Sequence, residues 1–149
     1  MKLLLQTDGG SRGNPGPAAY GYIIQDITDL GLPAGALAKE GAAKILEKCG
    51  NYLGHTTNNQ AEYAGLIAGL KWILTHHPDA EVTIKMDSLL IVNQVKGLYK
   101  VKNPDLFPKF QEVRALLAKI KSWNIAHTYR EGNALADELV NAALDANKS

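Results

Sequence analysis

The chain opens on an apolar run, KLLLQTD over residues 2–8, which predicts a buried strand. The next stretch, GGSRGNPGP over residues 9–17, is dense in turn formers and predicts a loop. Residues 18–25, AAYGYIIQ, alternate well enough for a second strand, and Asp29 to Gly35 predicts another loop. Residues 36–50 are open between a short helix and the start of a third strand, which is placed around 47–55. From Asn58 to His77 apolar positions recur at helical spacing through Tyr63, Leu66, Ile67, Leu70, Ile73 and Leu74. Asn58 or Asn59 is the expected N-cap and Pro78 the stop. Gly65 and Gly69 each weaken a helix by about 1 kcal/mol against alanine, so their four-residue spacing predicts close packing on a sheet. Residues 82–86 predict a strand, and Ser88 caps a helix ending near Gly97. Pro104 to Lys121 predicts an amphipathic helix interrupted early by Pro108. Ile125 to Tyr129 reads as the last strand. Asn133 to about Ala146 reads as the last helix, with Ala136, Leu139, Val140, Ala143 and Leu144 as its stripe.

The order is β-β-β-α-β-α-α-β-α. Three early strands with short links predict an antiparallel set, and later strands returning through helices run parallel to the first. The class is therefore α/β, with a five-stranded mixed sheet flanked by helices. Sites in such sheets gather at the carboxyl ends of strands.

Four acids occupy such places. Asp8 and Asp87 end apolar runs, Glu62 lies in the first turn of the long helix, and Asp137 in the first turn of the last one. Glu62 shares a side with Leu66, Gly69 and Ile73, so it faces inward. Singly, each acid reads best as a helix cap or a surface carboxylate. Together they form a cluster of like charges that repel unless cations hold them. Hard oxygen ligands suit magnesium, with manganese able to substitute, and two such ions clamping a phosphate are a common means of cutting nucleic acid.

Composition narrows the setting. A chain of 149 residues is expected to be one domain, 1–149. No apolar stretch approaches the roughly 18 residues of a membrane span. With a strand starting at Lys2, no signal peptide is expected, and Cys49 as the sole cysteine fits a reducing, cytoplasmic setting. The net charge is only +1, but it is unevenly spread. Lys96 to Lys121 holds seven basic residues against Asp105 and Glu112, a net of +5 that leaves −4 elsewhere. A basic segment beside an acidic site suits a polyanionic substrate; the bland alternative is a solvated lysine-rich helix face.

The blocks TDGGSRGNPGPAAYG, TTNNQAEYAGLIAGL, KMDSLLIVNQVKG and REGNALADELVNAAL together resemble type 1 ribonuclease H, in the family's order. The resemblance implies the ribonuclease H-like fold. It also implies hydrolysis of the RNA strand of RNA–DNA hybrids by two-metal-ion catalysis, leaving 5′-phosphate and 3′-hydroxyl ends. It makes Asp8, Glu62, Asp87 and Asp137 the catalytic and metal-holding acids, and assigns substrate contacts to Gly9, Gly10, Ser11, Asn14, Thr57, Asn58, Asn59 and Asn133. Amides both donate and accept, so they can read 2′-hydroxyls and base edges. Gly9 and Gly10 remove bulk beside Asp8, so a phosphate could approach closely. The partner expected is an RNA–DNA hybrid met by a monomer, with no membrane.

The fourth acid leaves a choice between two assistants. Some relatives carry a histidine on a mobile loop before it, and His127 stands ten residues ahead of Asp137. The pattern HTYREGN instead resembles the branch in which an arginine follows the strand. Arg130 is then the expected partner of the reacting phosphate, against surface pairing with Glu131 or Glu138. Several features depart from the family. Leu89 replaces a polar residue two places after the third acid. The LYKVKN link leaves no room for an extra basic helix, no separate hybrid-binding domain is expected before residue 2, and residues 26–50 are long without a functional account. Among alternatives, an exonuclease of the same superfold would carry Asp-x-Glu in the first strand, where Gly10 stands. A non-catalytic nucleic-acid-binding module would have lost an acid. A calcium-binding domain would show an EF-hand loop.

Overall fold

The computed structural model describes residues 1–28 and 44–147. The loop expected at Asp29 to Gly35, and the ambiguous stretch as far as residue 43, lie outside them. The elements run β1 Lys2–Ser11, β2 Gly16–Asp26, β3 Lys44–Thr56, α1 Asn58–His76, β4 Glu81–Met86, α2 Leu89–Lys96, α3 Phe107–Leu117, β5 Ser122–His127 and α4 Ala134–Ala146. A 3₁₀ turn, Arg130–Asn133, joins β5 to α4. The sheet order is β3-β2-β1-β4-β5. β1 pairs antiparallel with β2, and β2 with β3, while β4 lies parallel to both β1 and β5. The expected mixed five-stranded sheet is therefore present.

Several boundaries differ from the sequence reading. Gly9 to Ser11 are strand, not loop, because they continue the ladder opposite Tyr20, Ala19 and Ala18. Pairing overrides the turn preference of the glycines. β3 begins at Lys44 and is longer than expected. Thr57, not an asparagine, caps α1, accepting from the Gln60 amide at 3.2 Å. That puts Glu62 in the second turn. Pro108 opens α3 instead of interrupting it, as suits a residue with no amide hydrogen to offer the first turn. β5 starts three residues early and leaves Tyr129 outside the strand.

Adjacent strand residues point to opposite faces. A Cβ on Gly9 would meet the backbone of Ala61 in α1, whereas Gly10 lies nearest Asn58 and Val140 of α4. α1 and α4 therefore cover opposite sides of β1. The α1 side holds the larger core, in which Leu3, Leu5 and Ile24 pack with Leu66, Leu70 and Ile73, and α2 and α3 extend it. Under α4 the core is small: Ala19, Val140 and Leu144. There the helix backbone comes close enough to graze Gly21 and Gly50.

Candidate active site

Thr7 of β1 lies in register with Met86 of the parallel β4. Asp8 and Asp87 each follow one residue later, so parallel pairing alone sets the two carboxylates side by side. Glu62 is delivered from α1. Its Oε1 accepts the Gly9 amide at 2.9 Å, a bond that depends on how closely α1 lies on β1. An alanine Cβ at Gly9 would sit 2.4 Å from the Ala61 carbonyl carbon. Gly9 therefore admits the helix, and both Gly9 and Gly10 line the cleft beside Asp8. One carboxylate oxygen from each of Asp8, Glu62 and Asp87 lies within 4.8 Å of the others.

This grouping is electrostatically costly. Burial, then the Asp87 charge, pushes the Asp8 carboxyl up to about 7. Burial and the Asp8 charge raise Glu62 well above its ordinary value. Asp87 is raised as well, chiefly by burial, although the charge of Arg130 pulls against the rise. Glu62 Oε2 is buried with no hydrogen-bond donor among the described residues. Buried acceptors without donors call for a proton or a cation. An oxygen-only donor set at this separation suits a hard divalent ion.

Asp137 approaches from the first turn of α4 and is half-buried, with Asn141 Nδ2 donating to its Oδ2 at 3.4 Å. It lines the same cleft as the other three acids, a volume of about 630 Å³. Gly10, Ser11, Asn58 and Asn59 line it too, as do His127, Tyr129 and Arg130. Asn58 Oδ1 accepts from the Ser11 amide at 2.8 Å and from its hydroxyl at 2.9 Å, tying the start of α1 to the end of β1.

Three expected contact residues lie outside the cleft lining. Asn14 accepts the Asn58 amide at 3.0 Å and steadies the helix start. Thr57 is occupied as the α1 cap. Asn133 is fully buried, its Nδ2 donating to the Thr7 carbonyl at 2.8 Å; it anchors the 3₁₀ turn to β1. None of the seven basic residues from Lys96 to Lys121 lines the cleft either. Lys119 and Lys121 precede the amino end of β5, whereas the acids lie at the carboxyl ends. The arginines that do line it are Arg130 and Arg12. Arg12 shows in the sequence only as a cation set within the glycine-rich block next to Asp8.

The model of the reverse transcriptase-like family matches residues 6–143. A bifunctional protein of Mycobacterium tuberculosis is 38% identical over 146 residues, covering 98% of this chain and 36% of its own length. Ribonuclease HI of Halobacterium salinarum is 38% identical over 138 residues, covering 93% and 62%. This chain thus spans about a third of the first relative and under two thirds of the second. Among solved structures, a ribonuclease H1 isolated from compost and crystallised with an RNA/DNA hybrid is 40% identical, with a TM-score of 0.84 covering 99% of this chain and 100% of that one. The chain belongs to the reverse transcriptase-like family, and within it to the type 1 ribonucleases H.

Proposed function

We propose that the protein is an endoribonuclease that hydrolyses the RNA strand of RNA–DNA hybrids, leaving 5′-phosphate and 3′-hydroxyl ends, as a monomer in the cytoplasm. The observation that carries this reading is the convergence of Asp8, Glu62 and Asp87 within 4.8 Å, beside Asp137, in an open cleft. Asp8, Glu62, Asp87 and Asp137 would hold two magnesium ions, or manganese in their place. Such ions, when bound, activate water and stabilise the departing 3′ oxygen.

The chain's own groups do the rest. Gly9 fixes Glu62 through its amide, so one carboxylate oxygen has a set position before any ligand arrives. Asp8 and Asp87 are held by the β1–β4 register and need little reorganisation. Arg130, whose charge reaches Asp87, would pair with the phosphate under attack. Gly10 leaves the strand end open for the sugar-phosphate backbone. Ser11, Asn58 and Asn59 lie on the same wall and offer the hydroxyl and amides that meet 2′-hydroxyls and base edges, the groups that distinguish an RNA strand. Incubation with an end-labelled hybrid tests the reading. Magnesium-dependent cutting within the RNA strand is expected, with a DNA duplex left whole; equal cutting of both duplexes would overturn it.

A further inference from the structure

Arg12 faces the same cleft from the end opposite Arg130. Its Nη2 pairs with Asp145 Oδ1 at 2.7 Å, bringing it to the last turn of α4. Arg130 precedes the first turn of that helix. With 13 residues in α4, the two cations are separated by about 20 Å along it. Asp137, Val140 and Leu144 of the same helix line the cleft with them.

The backbone under Arg12 is fixed. Its amide donates to the Pro17 carbonyl at 2.8 Å, and its own carbonyl packs against Gly16 so closely that no Cβ fits there. The side chain is not fixed in the same way. It is 42% exposed, and Asp145 is 65% exposed. Ion pairs this open to water are weak. Asp145 is also ill placed for its own helix, since a carboxylate in the last turn opposes the helix dipole, and that turn carries no basic residue of its own. Asp145 thus holds a guanidinium lining the cleft by one nitrogen, and among the described residues the rest of its planar fork has no carboxylate partner.

We infer that Arg12 is a substrate-binding residue, gripping a backbone phosphate several nucleotides from the cleavage point, with Asp145 as the placeholder from which the phosphate takes it over. The inference rests on the hybrid-cleaving reading above and adds a second phosphate grip to it. It gives the chain a cationic contact at the cleft that the Lys96–Lys121 segment does not provide.

Steady-state cleavage of one hybrid across a salt series separates this role from a structural latch. Arg12→Ala should raise KM about tenfold and leave kcat within about twofold. The slope of log KM against log salt should fall by about one, the signature of one lost phosphate contact. Arg12→Lys should restore the slope and part of KM. Asp145→Ala should leave KM unchanged or lower, because it frees the arginine. A latch predicts that Arg12→Ala and Asp145→Ala raise KM alike with an unchanged slope, and that result would overturn the inference, as would an unaltered KM in Arg12→Ala. If the unmodified protein cuts no hybrid, the functional reading fails first and takes this inference with it. A cutting enzyme with an indifferent Arg12 sinks the inference alone.

Discussion

The two parts of the cleft are built in opposite ways. Asp8, Glu62 and Asp87 sit on paired strands and on a helix pressed against them, and their positions follow from the β1–β4 register and the Gly9 amide. Burial raises all three carboxyls. Arg12 and Arg130 stand on short turns and are exposed, and Asp137 is half-buried at the rim. The deep part stores electrostatic strain that a cation would relieve. The rim stores little and is free to exchange its partners. Changes in the deep part should therefore alter turnover and stability together, and changes at the rim should alter turnover or affinity alone.

The largest effect is expected from Asp8→Asn, which keeps the shape and removes the central charge. Turnover should fall by at least roughly a thousandfold, on the scale of lost electrostatic stabilisation of a transition state. In chelator the variant should melt no lower than the parent. Kinetics and a thermal melt on the same sample check both halves.

Gly9→Ala comes next. The added methyl has nowhere to go between β1 and Ala61, so α1 must shift, at a cost of about 1–3 kcal/mol. Glu62 should move with it, and turnover should fall as well. Gly10→Ala meets only ordinary contacts at 4.0 Å and should fold normally. Denaturant midpoints of the two variants give the comparison.

At the rim, Arg130→Ala should lower turnover by more than about tenfold, equivalent to about 1.4 kcal/mol, with an unchanged melting temperature. His127 ends β5 and packs edge-on against Tyr129 at 5.4 Å; His127→Ala should have much the smaller effect. The reverse ranking would make the histidine the assistant.

The last effect concerns pH. The Asp8 carboxyl titrates near 7 in the fold against 3.8 ordinarily, so between these values the folded state keeps a proton that the unfolded chain has lost. Stability in chelator should then fall as pH rises from about 4 to about 7, with the raised Glu62 and Asp87 carboxyls acting in the same direction. Melting temperatures across that range should show the slope, and Asp8→Asn should make it shallower, leaving the part that Glu62 and Asp87 contribute.

The four acids were readable in the sequence because local pattern marks strand ends and helix starts, and parallel topology brings such ends together. What the sequence hid depended on distant partners. Gly9 to Ser11 look like a turn until β2 pairs with them. Asn133 looks like a surface amide until its contact with Thr7, 126 positions away, is seen. Arg12 carries only a faint local signal, a cation among glycines, since the residue that aims it stands on the last helix. The lysine-rich segment is a case of the same kind: a count along the chain does not show that Lys119 and Lys121 lie between α3 and the amino end of β5, outside the cleft lining.

The central claim is that the buried acids are a cation-dependent centre for cutting RNA paired to DNA. The most direct measurement is the product pattern from an end-labelled RNA–DNA hybrid, with magnesium and with excess chelator. The account predicts internal RNA cuts bearing 5′-phosphates with the metal and none with the chelator. Undiminished cutting in chelator would contradict it, as would an intact hybrid with magnesium present.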